Sequence, residues 1–200
     1  MTEQTINMLA VLVMYLIGSI SSSIIVARVM RLPDPRGLGS GNPGATNMLR
    51  TGSKKAAAYT LVGDLLKSLI PLLIARYYGF ELFALCLIGL AAIIGHMFPI
   101  YYHFRGGKGV ATTLGVLLAI HWPLALCWGV IWLSTAVITR FSSLAAIVAT
   151  ISLPIVSYLL NLSIYLLITT SVIVVLIVWR HQSNIRNLIA GKEDKIGAKD

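Results

Sequence analysis

Charged side chains are scarce in this sequence. Asp, Glu, Lys and Arg make up only 12% of its 200 residues, about half the share found in soluble domains, whereas 57% of the residues are hydrophobic. So few polar side chains cannot cover the surface of a soluble domain, and so much hydrophobic sequence excludes intrinsic disorder. The composition therefore predicts an integral membrane protein.

Acidic residues are the scarcest charged type, because 7 Asp and Glu stand against 16 Lys and Arg and leave a net charge of +9. The acids near the basic segments form no clustered ligand set, which argues against metal catalysis. The sequence also lacks a G-x-S-x-G nucleophile elbow and the His-x4-Asp pattern of a common acyltransferase class. We therefore expect no metal and no cofactor.

Hydropathy divides the chain into six segments long enough to span a bilayer, about 20 residues each, and one shorter segment. The short segment, residues 108–121, would reach about 21 Å as a helix, less than the ~30 Å hydrocarbon core. All seven are predicted to be membrane helices of one all-α domain covering residues 1–200. The predicted spans are residues 7–29, 56–78, 82–102, 108–121, 123–139, 142–160 and 163–179.

The distribution of positive charge favours counting the short segment as a span. With seven spans and the N-terminus outside (periplasmic), 14 of the 16 Lys and Arg lie on the cytoplasmic side, as the positive-inside rule requires. The two exceptions are Lys67 inside a span and Arg76 near an outer end. With six spans, the charges from Arg140 onward would face outward. The sequence thus predicts seven transmembrane helices and a cytoplasmic C-terminus.

Three polar segments then lie on the cytoplasmic side, and the first, residues 38–50, is rich in glycine and in hydrogen-bond donors. Its glycines match G-x-G-x-x-G, but a dinucleotide-binding loop must follow a parallel β-strand, whereas a membrane span precedes this one. Glycines still let backbone N–H groups converge on an anion, and arginine is a bidentate partner for phosphate. The segment therefore indicates an anion site, rather than a plain turn, built from Ser40, Gly41, Asn42, Thr46, Asn47 and Arg50.

The second polar segment, residues 96–113, places a glycine-rich turn at the start of the short span. Lys108 is followed by Gly109 rather than by Ser or Thr, so the turn is not a Walker A loop. A helix N-terminus would still direct N–H groups and a positive dipole end at a phosphate, with Lys108 as a point charge. The alternative is a basic loop that touches lipid headgroups.

The third polar segment follows the last span and includes His181, Asn184 and Glu193. Alone, it is as typical of an amphipathic tail on the membrane surface as of a binding site. Inside the membrane, Asp64 and Lys67 are three residues apart and share a helix face. Ionisable groups at this depth are usually paired or functional, so we expect a structural ion pair and leave a role in the site open.

Together the three segments resemble the signature motifs of the bacterial acyl-phosphate:glycerol-3-phosphate acyltransferase family. The resemblance runs along nearly the whole chain, through GSGNPGATN with Arg50, GHMFP with GGKGVAT, and Arg180-His181 with Asn184-Ile185 and Gly191-Lys192-Glu193. It implies an inner-membrane enzyme of seven helices with its active site on the cytoplasmic side. The implied reaction moves a fatty acyl group from acyl phosphate to the 1-hydroxyl of glycerol 3-phosphate, giving lysophosphatidic acid and inorganic phosphate, the first step of phospholipid synthesis.

The resemblance also implies roles for individual residues. It implies catalytic roles for Ser40, Arg50, Lys108, His181 and Asn184. It implies substrate or phosphate contacts for Gly41, Asn42, Thr46, Asn47, His96, Gly106, Gly107 and Gly109, and a structural role for Glu193. Asn187 departs from the family, which usually has Arg there, and Arg186 is adjacent, so the resemblance assigns no role to Arg186. The general base stays open between His181 and a phosphate of the substrate.

The implied partners are glycerol 3-phosphate, a long-chain acyl phosphate and membrane lipid, with a soluble enzyme that makes the acyl phosphate as a further candidate and no nucleic acid. Two other classes remain: a transporter of a phosphorylated metabolite, and a lipid-binding structural membrane protein. Transporters place their sites near the membrane midplane between symmetric repeats. Here the motifs cluster on one face and no repeat is visible, which favours the enzyme.

Overall fold

The computed structural model describes residues 2–50 and 53–197, and within these ranges the chain forms α-helices and short 3₁₀ turns but no β-strand. The all-α prediction is therefore confirmed for the described residues. The helices pack into two compact units, one up to Ile120 and one from His121. That the whole chain is one domain stays a prediction.

The first unit contains both glycine-rich motifs. Its helices, within the described residues, are α1 (Glu3–Gly18), α2 (Ser22–Val29), α3 (Ala45–Arg50), α4 (Lys54–Tyr77), α5 (Leu82–Met97) and α6 (Val110–Ile120). The 3₁₀ turns Pro35–Gly37 and Ile100–Tyr102 precede the first and the second glycine motif.

The second unit contains the third motif. Its helices, in the part of the chain that the structure describes, are α7 (Trp122–Thr139), α8 (Ser142–Leu159), α9 (Ile164–Arg180) and α10 (Gln182–Ile189). The indole Nε1 of Trp128 donates to the Thr150 hydroxyl at 3.3 Å and joins α7 to α8 inside the apolar core. After α10, the N–H of Ile196 donates to the Arg140 carbonyl at 2.7 Å and holds the segment that follows α10 against the α7–α8 connection.

The helices are long and apolar enough for a membrane protein. Among the described residues, α4, α5 with its following 3₁₀ turn, α7 and α8 each meet the length and hydropathy of a span. Helices α1 and α2 meet this length and hydropathy only when they are counted as one span with a bend of 40°, and the same holds for α9 and α10 with a bend of 62°. Counting each bent pair as one span gives up to six spans. Helix α6, at 11 residues, extends only about 16 Å. The seventh span therefore stays a prediction.

The first predicted span, residues 7–29, is broken rather than continuous, because α1 ends at Gly18 and α2 begins at Ser22. A Cβ on Gly18 would collide with the backbone of Ala92 in α5, so the two helices touch directly where α1 ends. The Ser19 hydroxyl donates to the Tyr15 carbonyl at 2.8 Å, a local bond that competes with the helix ladder. Ser19 and Ser21 therefore lie in a helix break.

Helices α4 and α6 run parallel and in close contact. The Thr112 hydroxyl, near the start of α6, donates to the Asp64 carbonyl at 3.3 Å, and the Ser68 hydroxyl donates to the Thr112 carbonyl at 2.9 Å. At the other end, Nη1 of Arg76 donates to the Ala119 carbonyl at 3.0 Å and caps α6. The short helix therefore begins level with the middle of α4 and ends beside its last turn.

Candidate active site

The first motif is organised around the buried side chain of Asn47. Its Oδ1 accepts from the Ser40 N–H at 3.0 Å and from the Ser40 hydroxyl at 3.2 Å. Its Nδ2 donates to the Pro35 carbonyl at 2.8 Å and to the Leu38 carbonyl at 3.0 Å. With φ of +51° and +67°, Gly39 and Gly41 adopt the left-handed conformation on either side of Ser40, so the chain turns sharply there. Asn47 thus closes the loop and leaves Ser40 at its exposed tip.

The remaining predicted residues of this motif surround the start and end of α3. Asn42 lies in the turn before the helix, Thr46 is its second residue and Arg50 its last, and all three are half-buried. The N–H of Gly44 donates to the Asn42 carbonyl at 2.9 Å. The Gly41 N–H likewise donates to the Leu38 carbonyl at 2.9 Å, so the groups that this short segment offers to an anion are side chains, with the Arg50 guanidinium as the charged one.

A surface ion pair lies at the base of the same loop. Nη2 of Arg36 donates to Oδ2 of Asp34 at 2.6 Å, and Nε donates to Oδ1 at 3.0 Å. This hydrogen bonding by Arg36 lowers the pKa of the Asp34 carboxyl below its usual value and raises the pKa of the guanidinium. The guanidinium also lies 5.9 Å from the centre of the Tyr102 ring, a cation–π contact with the 3₁₀ turn that precedes the glycine turn of the second motif.

The second motif forms a glycine turn packed directly on His96. The N–H of Gly107 donates to the His96 carbonyl at 3.1 Å, and a Cβ on Gly107 would collide with Nε2 of the ring. A Cβ on Gly106 would collide with the His96 carbonyl. Gly109 has φ +83°, which side chains rarely adopt, and α6 begins at the next residue. The half-buried Lys108 therefore stands in a turn that only glycines fit, immediately before a helix N-terminus.

Asp64, Lys67 and His96 form a buried cluster behind this turn. Nζ of Lys67 lies 2.9 Å from Oδ1 of Asp64 and 2.9 Å from Nδ1 of His96, and it donates to the Ile20 carbonyl at 2.7 Å. The buried side chains of Asp64 and Lys67 are almost entirely shielded from solvent. The predicted i,i+3 pair thus exists and extends to a side chain of the second motif.

The third motif is built at the junction of α9 and α10. His181 is buried, and its Nδ1 lies 2.8 Å from the Ile177 carbonyl. Because a carbonyl only accepts, Nδ1 carries a proton and the acceptor of the neutral ring is Nε2. Nδ2 of Asn184 donates to Oε1 of Glu193 at 2.7 Å. The Ser143 hydroxyl, on α8, donates to the same oxygen at 2.7 Å.

Among the predicted residues, the structure thus joins Ser40 to Asn47, His96 to the glycine turn, and Asn184 to Glu193. Sequence reasoning missed two contributors. In the sequence, Ser143 is an ordinary residue at the start of a helix, and no residue near it indicates that its partner, Glu193, lies 50 positions away. Tyr15 donates its hydroxyl to the Phe98 carbonyl at 2.8 Å and fixes the segment before the glycine turn, with no motif of its own.

No group of three or more His, Cys, Asp or Glu side chains within residues 2–50 and 53–197 could hold a metal ion. The predicted site residues in this part of the chain therefore provide hydrogen-bond donors, the cations Arg50 and Lys108, and glycine backbone.

Comparison with known proteins agrees with the family resemblance. A family model described as glycerol-3-phosphate acyltransferase matches residues 8–191. The glycerol-3-phosphate acyltransferase of Thioalkalivibrio sulfidiphilus is 51% identical over 185 residues, covering 92% of this chain and 91% of that protein. The enzyme of Pseudomonas putida is 48% identical over 186 residues, covering 92% and 97%.

Two solved structures share the fold. The crystal structure of PlsY (YgiH), an integral membrane glycerol 3-phosphate acyltransferase, in its glycerol 3-phosphate form has a TM-score of 0.90 and 39% identity, covering 96% of both chains. Its lysophosphatidic acid form has a TM-score of 0.87 and 38% identity, covering 94% of both. With apolar helices long enough to span a bilayer, motif segments in the expected order and a family match over most of its length, the chain belongs to the glycerol-3-phosphate acyltransferase family of integral membrane proteins.

Proposed function

We propose that this glycerol-3-phosphate acyltransferase takes its acyl group from a long-chain acyl phosphate and places it on the 1-hydroxyl of sn-glycerol 3-phosphate. The products are lysophosphatidic acid and inorganic phosphate, and the reaction begins phospholipid synthesis. The strongest support is the likeness to PlsY in its glycerol 3-phosphate and lysophosphatidic acid forms. The described geometry supplies phosphate-binding groups and an oriented hydroxyl but no nucleophile–base pair, which suits a donor that is already activated.

The phosphate groups are assigned to the two glycine motifs of the first unit. Arg50 provides a bidentate guanidinium, and Lys108 provides a point charge at the N-terminus of α6. The substrate phosphates are also proposed to contact Gly41, Asn42, Thr46, Gly106, Gly107 and Gly109. These groups would hold substrate phosphates and stabilise the phosphate that departs.

Ser40 is assigned to orient the attacking hydroxyl. Its own hydroxyl proton points at Oδ1 of Asn47, so its lone pairs are available as acceptors for a substrate O–H. The proton balance of the reaction needs no enzyme base. The C–O bond of the ester forms as the acyl C–O bond to phosphate breaks, and the hydroxyl proton leaves with the inorganic phosphate. A substrate phosphate is therefore proposed as the proton acceptor.

In the second unit, His181 and Asn184 are proposed to contact substrate. The proton on Nδ1 of His181 is engaged by the Ile177 carbonyl, so the ring is held in one orientation. Glu193 accepts from Asn184 and from Ser143 and serves as the structural acid that fixes the Asn184 amide. The open alternative for the base, His181 acting through Nε2, is tested below.

The proposed location is the bacterial inner membrane, with seven spans, the N-terminus in the periplasm and the motifs on the cytoplasmic side. The parallel course of α4 and α6 supports α6 as a crossing helix, because the two helices then run in the same direction across the bilayer. A soluble enzyme that forms acyl phosphate is a proposed partner, as the family resemblance implies.

A direct assay tests the proposal. The purified protein in detergent is given radiolabelled glycerol 3-phosphate with palmitoyl phosphate, with palmitoyl-CoA as the matched donor control. We expect labelled lysophosphatidic acid with the acyl phosphate alone. Product formed from palmitoyl-CoA but not from palmitoyl phosphate would overturn the donor assignment, and counterflow of label in vesicles without turnover would favour a transporter.

A further inference from the structure

We infer that Lys67 is a positioning residue that holds His96 as a neutral imidazole with its proton on Nε2, the ring nitrogen beside the glycine turn. This inference rests on the proposed phosphate-binding role of that turn. The cluster that carries it comprises Lys67, Asp64, His96 and the Ile20 carbonyl.

The hydrogen-bond capacity of Lys67 fixes the direction of its contact with His96. An ammonium group has three N–H donors and no acceptor. Nζ has three partners, namely the Ile20 carbonyl at 2.7 Å, Oδ1 of Asp64 at 2.9 Å and Nδ1 of His96 at 2.9 Å. Nδ1 of His96 therefore accepts a hydrogen bond, and a neutral ring that accepts at Nδ1 carries its proton on Nε2.

The competing arrangement, in which Nδ1 of His96 donates to Asp64, is disfavoured by distance. Nδ1 lies 3.6 Å from Oδ1 of Asp64, beyond hydrogen-bond range, whereas Nζ of Lys67 lies 2.9 Å from the same nitrogen. Oδ1 of Asp64 instead lies 2.9 Å from Nζ and forms an ion pair with Lys67. Lys67 in turn donates a hydrogen bond to Nδ1 of His96.

The helix break supplies the third partner of Lys67. Because α1 ends at Gly18, the Ile20 carbonyl is outside any regular helix and is directed at Nζ. A buried ion pair is weak support for stability, since apolar residues of the same volume often serve as well. A lysine that donates to a backbone carbonyl, forms an ion pair with Asp64 and also contacts a motif side chain is better explained by a task in the site.

Nε2 of His96 lies against the glycine turn. The ring occupies the space that a Cβ of Gly107 would need, with Nε2 the nearest atom, and the His96 carbonyl accepts from the Gly107 N–H. A neutral ring with Nε2–H would place one more donor at Gly107, the residue before Lys108, for a phosphate held by the turn, without adding a second full charge.

Nitrogen NMR tests the tautomer without any turnover. The protein is labelled with ¹⁵N-histidine and purified in detergent; it has four histidines, and His96 is assigned by the signal lost in His96→Gln. We expect a protonated, pyrrole-type Nε2 and a pyridine-type Nδ1. A proton on Nδ1, or on both nitrogens, overturns the inference. If His96→Gln does not fold, single substitutions at the other three histidines assign the signal by elimination.

Kinetics test the consequence. Lys67→Met should raise the KM for glycerol 3-phosphate by about 10- to 100-fold, the loss expected for one hydrogen bond to a charged group, with a smaller change in kcat. Lys67→Arg should recover part of that loss, and Lys54→Met, at an exposed site on the same helix, should match wild type. An unchanged KM in Lys67→Met overturns the inference. Inactivity of the wild type with palmitoyl phosphate would instead overturn the proposed function and leave the tautomer result standing.

Discussion

Asn47 holds Ser40 through two hydrogen bonds to one oxygen, from the backbone N–H at 3.0 Å and from the hydroxyl at 3.2 Å. Its amide nitrogen is engaged by the carbonyls of Pro35 and Leu38. The whole capacity of the side chain is thus used within the protein. Family resemblance implies a substrate contact for Asn47, but this geometry favours the orientation of Ser40.

Replacing Asn47 should disrupt the loop more than it weakens substrate contact. We expect Asn47→Ala to lower kcat/KM for glycerol 3-phosphate by about 100-fold, because the Ser40 loop loses four hydrogen bonds, and to destabilise the protein by about 1–3 kcal/mol. The acyltransferase assay and thermal unfolding in detergent measure the two effects. Asn187→Ala, at an exposed position, is the control. A rise in KM alone, with full stability, would show that Asn47 binds substrate directly.

The two motif cations should each be needed for the rate. Loss of one oriented charged donor lowers the rate by a factor on the order of 10²–10³. We therefore expect Arg50→Ala and Lys108→Ala each to lower kcat by about that factor. Arg50→Lys should stay impaired because a lysine lacks the bidentate fork. Lys55→Ala, exposed at the start of α4, is the matched control. Activity within a few-fold of wild type in either variant would remove that residue from the site.

The glycine turn should not tolerate a methyl group. In Gly107→Ala the Cβ would collide with the His96 ring, and in Gly106→Ala with the His96 carbonyl, so both should lose most activity. Gly129→Ala on α7 meets nothing within 4 Å and should be neutral or stabilising by up to about 1 kcal/mol. Activity and unfolding temperature are measured together. A fully active Gly107→Ala would mean that the ring can move away from the turn.

Glu193 should matter as a hydrogen-bond acceptor rather than as a charge. Glu193→Gln keeps an oxygen for Ser143 and Asn184, whereas Glu193→Ala leaves both donors without it. We expect the alanine variant to lower Tm by about 2–10 °C and the glutamine variant by much less. Glu3→Ala, exposed on α1, is the comparison. Equal damage from both substitutions would point to the negative charge instead.

The pH dependence of His181→Gln should separate the two candidate bases. A general base must be unprotonated, so kcat/KM falls as the pH drops below its pKa. Imidazole and phosphate monoesters both titrate near about pH 6–6.5, so the wild-type profile alone does not discriminate. With the substrate phosphate as base, we expect the slower variant to keep the acid-side fall. If kcat/KM of His181→Gln no longer falls at low pH, while the profile of the control His103→Asn matches wild type, His181 is the base.

Sequence patterns located the helices and the three motifs well because both signals are local. Hydropathy runs marked the segments, and helical spacing placed Asp64 beside Lys67. The break after Gly18 could not be predicted from such local patterns, since Gly18 contacts the backbone of Ala92 in another helix. The link from Lys67 to His96 spans 29 positions and joins two helices, and no local pattern encodes it.

The cap that Arg76 places on α6 changes how charge should be counted in this protein. Topology rules weigh basic side chains as free charges that resist crossing the membrane. The guanidinium of Arg76 is engaged at the Ala119 carbonyl, where it offsets the negative end of the 11-residue helix α6. Arg76→Met should therefore leave the orientation of the chain unchanged in a reporter-fusion experiment while weakening α6.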